Sequence, residues 1–286
     1  GIVWNIGEKP VDGATDFLFM LVLAALGKAG MTLEFAVRFI GIISHFATVL
    51  IIYIAIRKYY HANRWLAFVP AFYLAIGPGL GYTEAGFGTS FFALAVCFTW
   101  CLAIKLSEEK ISHSTAFAFA LLSLVTGLIR PEGVFLSVFM LISIIYINGF
   151  KKSFKPILYF ISVYLTLGAI YFFWRWNYFS DPLPNPYYIK GGGHFYWIGF
   201  VSSVIHSLVL LGPFTIALVL GFRSRETTRK TIFALIPIAG FILLWTLMNN
   251  EMNYLMRYQY PVLVIALISF VPLVQNIPEE WGLKFS

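Results

Sequence analysis

The chain has 286 residues, of which 59% are hydrophobic, 19% aromatic and only 12% charged, with a mean hydropathy of +0.81. A soluble domain carries about 45–50% apolar residues, so this composition excludes an ordinary water-soluble globule and points to a membrane. The net charge of +7 sits mainly in short loops between apolar runs, a distribution that reads as membrane topology rather than as nucleic-acid binding.

Taken in chain order, the sequence opens on Gly1 with GIVWNIGEKP, and neither a charged n-region nor a small-residue cleavage signature precedes it. The stretch is therefore read as part of a longer, N-terminally truncated protein. The run Phe17–Leu26 rises only about 15 Å as a helix, against a hydrocarbon core of about 30 Å. It is expected in the interface or as a re-entrant half-helix.

Nine later runs come close to the roughly 20 apolar residues that a spanning helix needs. They are Phe39–Ile56, Trp65–Leu80, Phe87–Ile104, Ile111–Ile129, Gly133–Phe150, Pro156–Trp174, Phe195–Phe222, Thr231–Met248 and Tyr260–Val274. Trp65–Leu80 and Tyr260–Val274 are short, while Phe195–Phe222 is long and interrupted by Gly212 and Pro213.

With nine spans, the loops 57–64, 105–110, 151–155 and 223–230 share one side and hold twelve basic residues. The opposite loops hold four, Arg130, Arg175, Lys190 and Arg257. The positive-inside rule puts the twelve in the cytoplasm. The expected fold is therefore all-α and polytopic, one domain over 1–286. Within it, 1–38 belongs to an outer loop, 39–276 to the spans and 277–286 to a cytoplasmic tail. Cys97 and Cys101, one helical turn apart in an apolar run, read as buried and inert, and no metal-ligating cluster accompanies them.

The cytoplasmic loops are short and basic, whereas the outward ones carry the unusual residues. Arg130 and Glu132 lie in GLIRPEGVF, between two apolar runs. Charge near a membrane boundary must snorkel, pair or line a wet cavity, which makes Arg130 a functional candidate beside two plainer readings, interface anchor or structural pair with Glu132. Pro131 and Gly133 suit a tight turn, and Pro131 suits the start of the next helix.

The prolines 182, 184 and 186 argue against regular helix in DPLPNPYYIK. Lys190 before Gly191–Gly193 offers a cation beside backbone that can approach a phosphate closely, or simply a loop with an aromatic belt of Tyr187 and Tyr188. Arg257, just ahead of the last span, is placed either to clamp a phosphate or to snorkel.

These segments together resemble the polytopic glycosyltransferases of the GT-C superfamily, in particular the bacterial branch of terminal arabinofuranosyltransferases and mannosyltransferase-like proteins. GIVWNIGEKPVDGATDFLF is similar to that branch's N-x-G-E-P-V-E-G-Y-T pattern, with Asn5, Gly7, Glu8, Pro10, Val11, Gly13 and Thr15 matching. Lys9, Asp12 and Ala14 depart from it. GYTEAGFGTSFFAL resembles G-x-E-T-x-L-F-A-L through Glu84, and LIRPEG resembles T-R-P-E-G with Ile129 in place of threonine. DPLPNPYYIK is similar to G-D-x-L-P-N-T-Y-Y-A-K through Asp181, Leu183, Pro184, Asn185, Tyr187, Tyr188 and Lys190, and MRYQYP to R-Y-L-L-P.

The resemblance implies sugar transfer from a polyprenyl-phosphate donor to a glycan, lipid or protein acceptor on the outer face of a bacterial inner membrane. It places the acidic catalytic motif upstream of Gly1, which leaves Asp12 and Asp16 as weak catalytic candidates, and Asp16 is equally suited to cap the half-helix. The resemblance makes no cofactor certain, and the need for a divalent metal stays open.

Arg130, Lys190 and Arg257 are the expected donor-phosphate contacts, since a departing lipid phosphate gains negative charge. Glu84, Glu132 and Asn185 are expected to orient those cations or to bind sugar hydroxyls, and Tyr187 and Tyr188 to pack on a sugar or a prenyl chain. The competing classes are a transporter or lipid-carrier flippase and a noncatalytic membrane subunit.

Overall fold

The computed structural model describes residues 10–13, 15–77, 79–108, 111–190, 194–248 and 253–274, and every regular element among them is helical. In chain order these are α1 (Phe17–Lys28), α2 (Leu33–Tyr59), α3 (Arg64–Ile76), α4 (Gly79–Glu84), α5 (Thr89–Glu108), α6 (His113–Ile129) and α7 (Glu132–Asn148). There follow α8 (Phe154–Val163), a π-helical turn Tyr164–Gly168, α9 (Ala169–Phe179), α10 (Asn185–Lys190), α11 (Trp197–Leu211), α12 (Phe214–Leu220), α13 (Arg225–Leu244), α14 (Tyr260–Ser269) and α15 (Val271–Val274).

Polar N-caps start several of them: the side chains of Asn63, Ser112 and Ser224 accept hydrogen bonds from the backbone N–H groups of Leu66, Thr115 and Thr227.

Four helices are long and apolar enough to cross a bilayer: α2, α5, the continuous rod Phe154–Phe179, and α13 with its 3-10 extension to Leu247. A fifth is α11 with α12 if the bent pair counts as one span. Large apolar side chains such as Leu33, Phe46 and Leu50 of α2 and Leu165, Ile170 and Phe173 of the peripheral rod stay uncovered, an arrangement that suits lipid and not water. The chain is a helical membrane-embedded protein.

Each of the nine expected runs contains helix, but only four helices, or five with the bent pair, are long and apolar enough to span, so the runs are not nine equal rods. The helix expected over Trp65–Leu80 stops at Ile76 and resumes as α4. The run Phe195–Phe222 bends by 98° between α11 and α12. Gly212 there has φ +50, a left-handed value that favours glycine, and Pro213 supplies no N–H. Tyr73 Oη donates to the Leu210 carbonyl at 3.0 Å, at the break, and its ring packs edge-on against Phe214.

Phe17–Leu26 forms α1, whose 12 residues rise about 18 Å. Pro186 sits inside α10 after all, because it falls in the first turn, where a missing N–H costs nothing. Residues 275–286, expected as the end of the last span and a cytoplasmic tail, lie outside the described residues.

The core is built around α14. All ten of its residues are buried, it is apolar on every side, and α2, α5, α11 and α13 pack around it. Trp100 of α5 donates its Nε1–H to Ser269 Oγ at 2.9 Å. Loops separate to the two ends of the bundle. Ser107, Ile147, Arg229, Lys230 and Tyr60 surround one cavity at the basic end, and Thr15, Arg130, Leu183, Trp245 and Tyr258 surround another at the opposite end.

Candidate functional site

The RPEG turn connects α6 to α7 through only two residues, Arg130 and Pro131. The Arg130 N–H still donates to Thr126 O, and the Gly133 N–H turns back onto Arg130 O at 2.8 Å. A Cβ on Gly133 would lie 2.5 Å from Thr126 O, so only glycine lets the two helices meet here. The turn folds both charges inward, leaving Arg130 7% and Glu132 6% exposed.

Arg130 Nη2 lies 2.6 Å and Nε 2.7 Å from Glu132 Oε1, and the guanidinium carbon lies 5.7 Å from the Phe92 ring centre and 5.4 Å from that of Tyr258. Burial by itself would lower the Arg130 pKa; the nearby carboxylates of Glu132 and Asp16 outweigh it and raise it above the ordinary arginine range.

Arg130 and Glu132 form one wall of a cavity of about 300 Å³ whose other walls are Thr15, Leu183, Pro184, Trp245 and Tyr258. Trp245 and Tyr258 are stacked, with ring centres 4.4 Å apart and planes 9° from parallel. Trp245 is 1% exposed and its Nε1–H has no hydrogen-bond partner among the described residues. The cavity thus combines one paired cation, one paired carboxylate and flat aromatic surface.

Beside it lies a second, mostly apolar cavity of about 470 Å³ between α6 and the peripheral rod. Thr15, Pro131, Leu183 and Pro184 line both.

Arg175 opens onto that second cavity and forms a buried ion pair with Asp12. The Asp12 carbonyl accepts the backbone N–H of Asn185 at 3.0 Å, tying the N-terminal segment to the LPNP stretch. Burial pushes the Asp12 carboxyl above the ordinary aspartate value, although Arg175 pulls it back. Asp16 occupies the N-cap position of α1 but makes no capping bond; its Oδ1 accepts from Thr15 Oγ1 at 3.2 Å.

Arg257 does not line either cavity. It follows a reversal at Leu255 and Met256, both with left-handed φ, and lays its guanidinium 3.7 Å from the Phe87 ring centre and 5.2 Å from that of Tyr258. Its buried Nε has no hydrogen-bond partner among the described residues. The reversal is fastened by Asn253, whose Oδ1 accepts from Tyr258 N and whose Nδ2 donates to Gln259 Oε1; Gln259 in turn donates to Ser203 Oγ.

Of the residues expected from sequence, Asp12, Asp16, Arg130, Glu132 and Asn185 gather at one end of the bundle, with Arg257 behind the shared Tyr258. Glu84 does not join them. Its carboxylate is 3.9 Å from Arg38 Nε, with side chains 67% and 64% exposed, so it is a solvent-facing pair rather than part of a cavity.

Tyr188 is exposed, and the side chains of Tyr187 and Lys190 lie outside the described residues. Arg175, Trp245, Tyr258 and Thr15 were not expected as site residues, although Thr15 is a match in the N-terminal motif and Arg175 one of the four loop cations. Arg175 was detectable as a charge inside WRW in an apolar run, whereas nothing local distinguishes Trp245 from other bilayer aromatics.

Family models, curated proteins and solved structures were compared with the chain, and none matches.

Proposed function

We propose that the chain is a nine-span, GT-C-like membrane glycosyltransferase that takes a sugar from a polyprenyl-phosphate donor and transfers it to a glycan, lipid or protein acceptor. In this reading the membrane is a bacterial inner membrane and the active face is outward. One observation carries the reading. Thr15, Arg130, Leu183 and Tyr258, from four of the segments that resemble the family and far apart in the chain, line a single cavity of about 300 Å³.

The chemistry follows from what such a cavity must do. A departing lipid phosphate gains negative charge, which a preorganised cation stabilises. A guanidinium has five N–H donors, and Glu132 engages those on Nε and Nη2, so Arg130 keeps others for phosphate oxygens while its own orientation is held. Lys190 is the further phosphate cation in this reading, whereas Arg257, which lines neither cavity, supports Tyr258 from behind; Asn185, Tyr187 and Tyr188 contact sugar or prenyl chain. Proton removal from the acceptor hydroxyl needs a carboxylate; of the two weak candidates in this chain, Asp16 acts electrostatically on Arg130 and Asp12 is committed to Arg175.

The test is incubation of the protein in sealed vesicles with labelled polyprenyl-phosphate sugar and a mixed glycan and lipid acceptor pool. Donor binding that is lost in Arg130→Ala, with new glycosidic product, is the expected outcome. Donor binding unaffected by Arg130→Ala overturns the reading. Label that crosses the vesicle without any glycosidic bond forming also overturns it and favours a transporter. The 98° break between α11 and α12 is the observation on that second side, since interrupted helices are a habit of transporters.

A further inference from the structure

We infer that the basic end of the bundle holds the headgroup of an anionic phospholipid in the concave surface where Lys151, Lys152 and Lys155 face the ends of α5 and α7. This inference does not depend on the glycosyltransferase reading; it requires only that the chain is embedded in a bilayer.

The three lysines border an open cavity of about 650 Å³ whose remaining polar walls are Ser107, Glu108 and Asn148. All three are exposed, and among the described residues none of them has an ion pair or hydrogen bond. Among the described residues, three unpaired ammonium groups therefore share the lining with one carboxylate. A phosphodiester brought there meets excess positive charge at a low desolvation cost, because ammonium and phosphate both stay near water.

The turn that carries the lysines is fixed. Gly149 takes φ +75 and donates its N–H to Ile145 O at 2.8 Å, and Ser153 donates its backbone N–H to Gly149 O at 3.1 Å. Asn148 Nδ2 donates to Leu106 O at 2.8 Å, which ties the end of α7 to the end of α5. The positive-inside rule asks only for a number of cations in a loop; a tied, concave turn presenting three of them around one space goes beyond that.

The occupant is a lipid because of what flanks the lysines. Phe150 and Phe154 are 66% and 57% exposed, immediately before and within the basic run. Exposed aromatic rings before and among the cations suit the level where acyl chains meet headgroups, so a molecule with a phosphate and a hydrocarbon tail satisfies both surfaces. Basic pockets between helix ends are the recurrent receptors for anionic headgroups.

The experiment is lipid retention by the full chain, purified from mixed vesicles of phosphatidylglycerol and phosphatidylcholine and measured by native mass spectrometry. Wild type is expected to retain phosphatidylglycerol preferentially. Replacing the three residues together (Lys151→Gln, Lys152→Gln, Lys155→Gln) should reduce that preference by at least about tenfold, with thermal unfolding in neutral detergent unchanged.

A triple arginine replacement at the same positions should keep the preference, which separates loss of charge from loss of fold. As a matched control, Lys58→Gln, Arg64→Gln and Arg225→Gln together should leave it intact. Equal retention of both lipids by wild type overturns the inference. So does an equal loss in the control, which would mean diffuse surface charge. Displacement of the lipid by excess inorganic phosphate would also overturn it, in favour of a soluble-phosphate site.

Discussion

Arg130 directs both its Nε and its Nη2 at one oxygen of Glu132, at 2.7 and 2.6 Å, across a single intervening proline, and both side chains are more than nine-tenths buried. A buried pair of this kind is weak evidence of net stabilisation, because two desolvation costs oppose one attraction; removing one partner is a different matter, since it strands the other charge.

Glu132→Ala is therefore expected to destabilise the protein by about 3–5 kcal/mol, and Glu132→Gln by less, because the amide oxygen can still accept from Nε. Thermal unfolding in detergent measures the order of the two. If Glu132→Ala unfolds at the wild-type temperature, the guanidinium has another partner and the pair is not what holds the RPEG turn closed.

Arg257 tests the importance of guanidinium shape. Its guanidinium lies over the Phe87 ring, a contact that the compact, strongly hydrated ammonium of lysine makes less well. Arg257→Lys should cost about 0.5–2 kcal/mol although it keeps the charge, and the loss should be of similar size in Phe87→Leu. The double variant should cost less than the sum of the two, and strict additivity would show that the stack carries no energy of its own.

Asp12 makes the molecule pH-sensitive in a direction opposite to that of a typical ion-paired aspartate. Burial raises its carboxyl, with Arg175 acting the other way and the Asp181 charge adding to the rise. A raised carboxyl holds its proton more tightly in the folded state. Its contribution is thus complete below the unfolded aspartate value of about 3.9 and fades as pH climbs through the raised folded value. The Tm of wild type minus that of Asp12→Asn should therefore decrease from about pH 4 upward. A difference that grows with pH would mean that attraction to Arg175 outweighs burial.

Two glycines make opposite predictions from the same substitution. Gly133→Ala puts a methyl group 2.5 Å from Thr126 O, which the α6–α7 turn cannot absorb without opening, and a loss of about 1–3 kcal/mol is expected. Gly27→Ala meets no atom within 4 Å and lies in helical backbone of α1, where alanine is better than glycine by up to about 1 kcal/mol. Circular dichroism melts of the two variants check both signs.

The RPEG turn shows how far local chemistry could be read without coordinates. Pro131 and Gly133 announced a tight reversal and the start of a helix, and Arg130 beside Glu132 admitted the structural pair that the fold contains. The same reading left the orientation of both side chains open, because whether a charge snorkels or folds inward depends on the space that Phe92 and Tyr258 leave for it. Glu84 illustrates the opposite outcome: it was expected to orient cations or bind a sugar, but its partner is Arg38 on α2, and the pair is exposed. Arg175 was counted only as a loop charge, since its partner Asp12 lies more than a hundred residues away in the chain.

Hydropathy and punctuation are properties of short windows, and from them the sequence alone determined that this is a helical membrane protein, roughly where its helices run, and that its basic loops share one side. The tertiary structure decided the rest: that ten-residue α14 is the buried centre, that α11 and α12 meet at a sharp angle, and that Thr15, Arg130, Leu183 and Tyr258 surround one space. Those facts come from contacts between helices distant in sequence, where close packing and the need to partner buried charge choose among arrangements that the local pattern leaves equal.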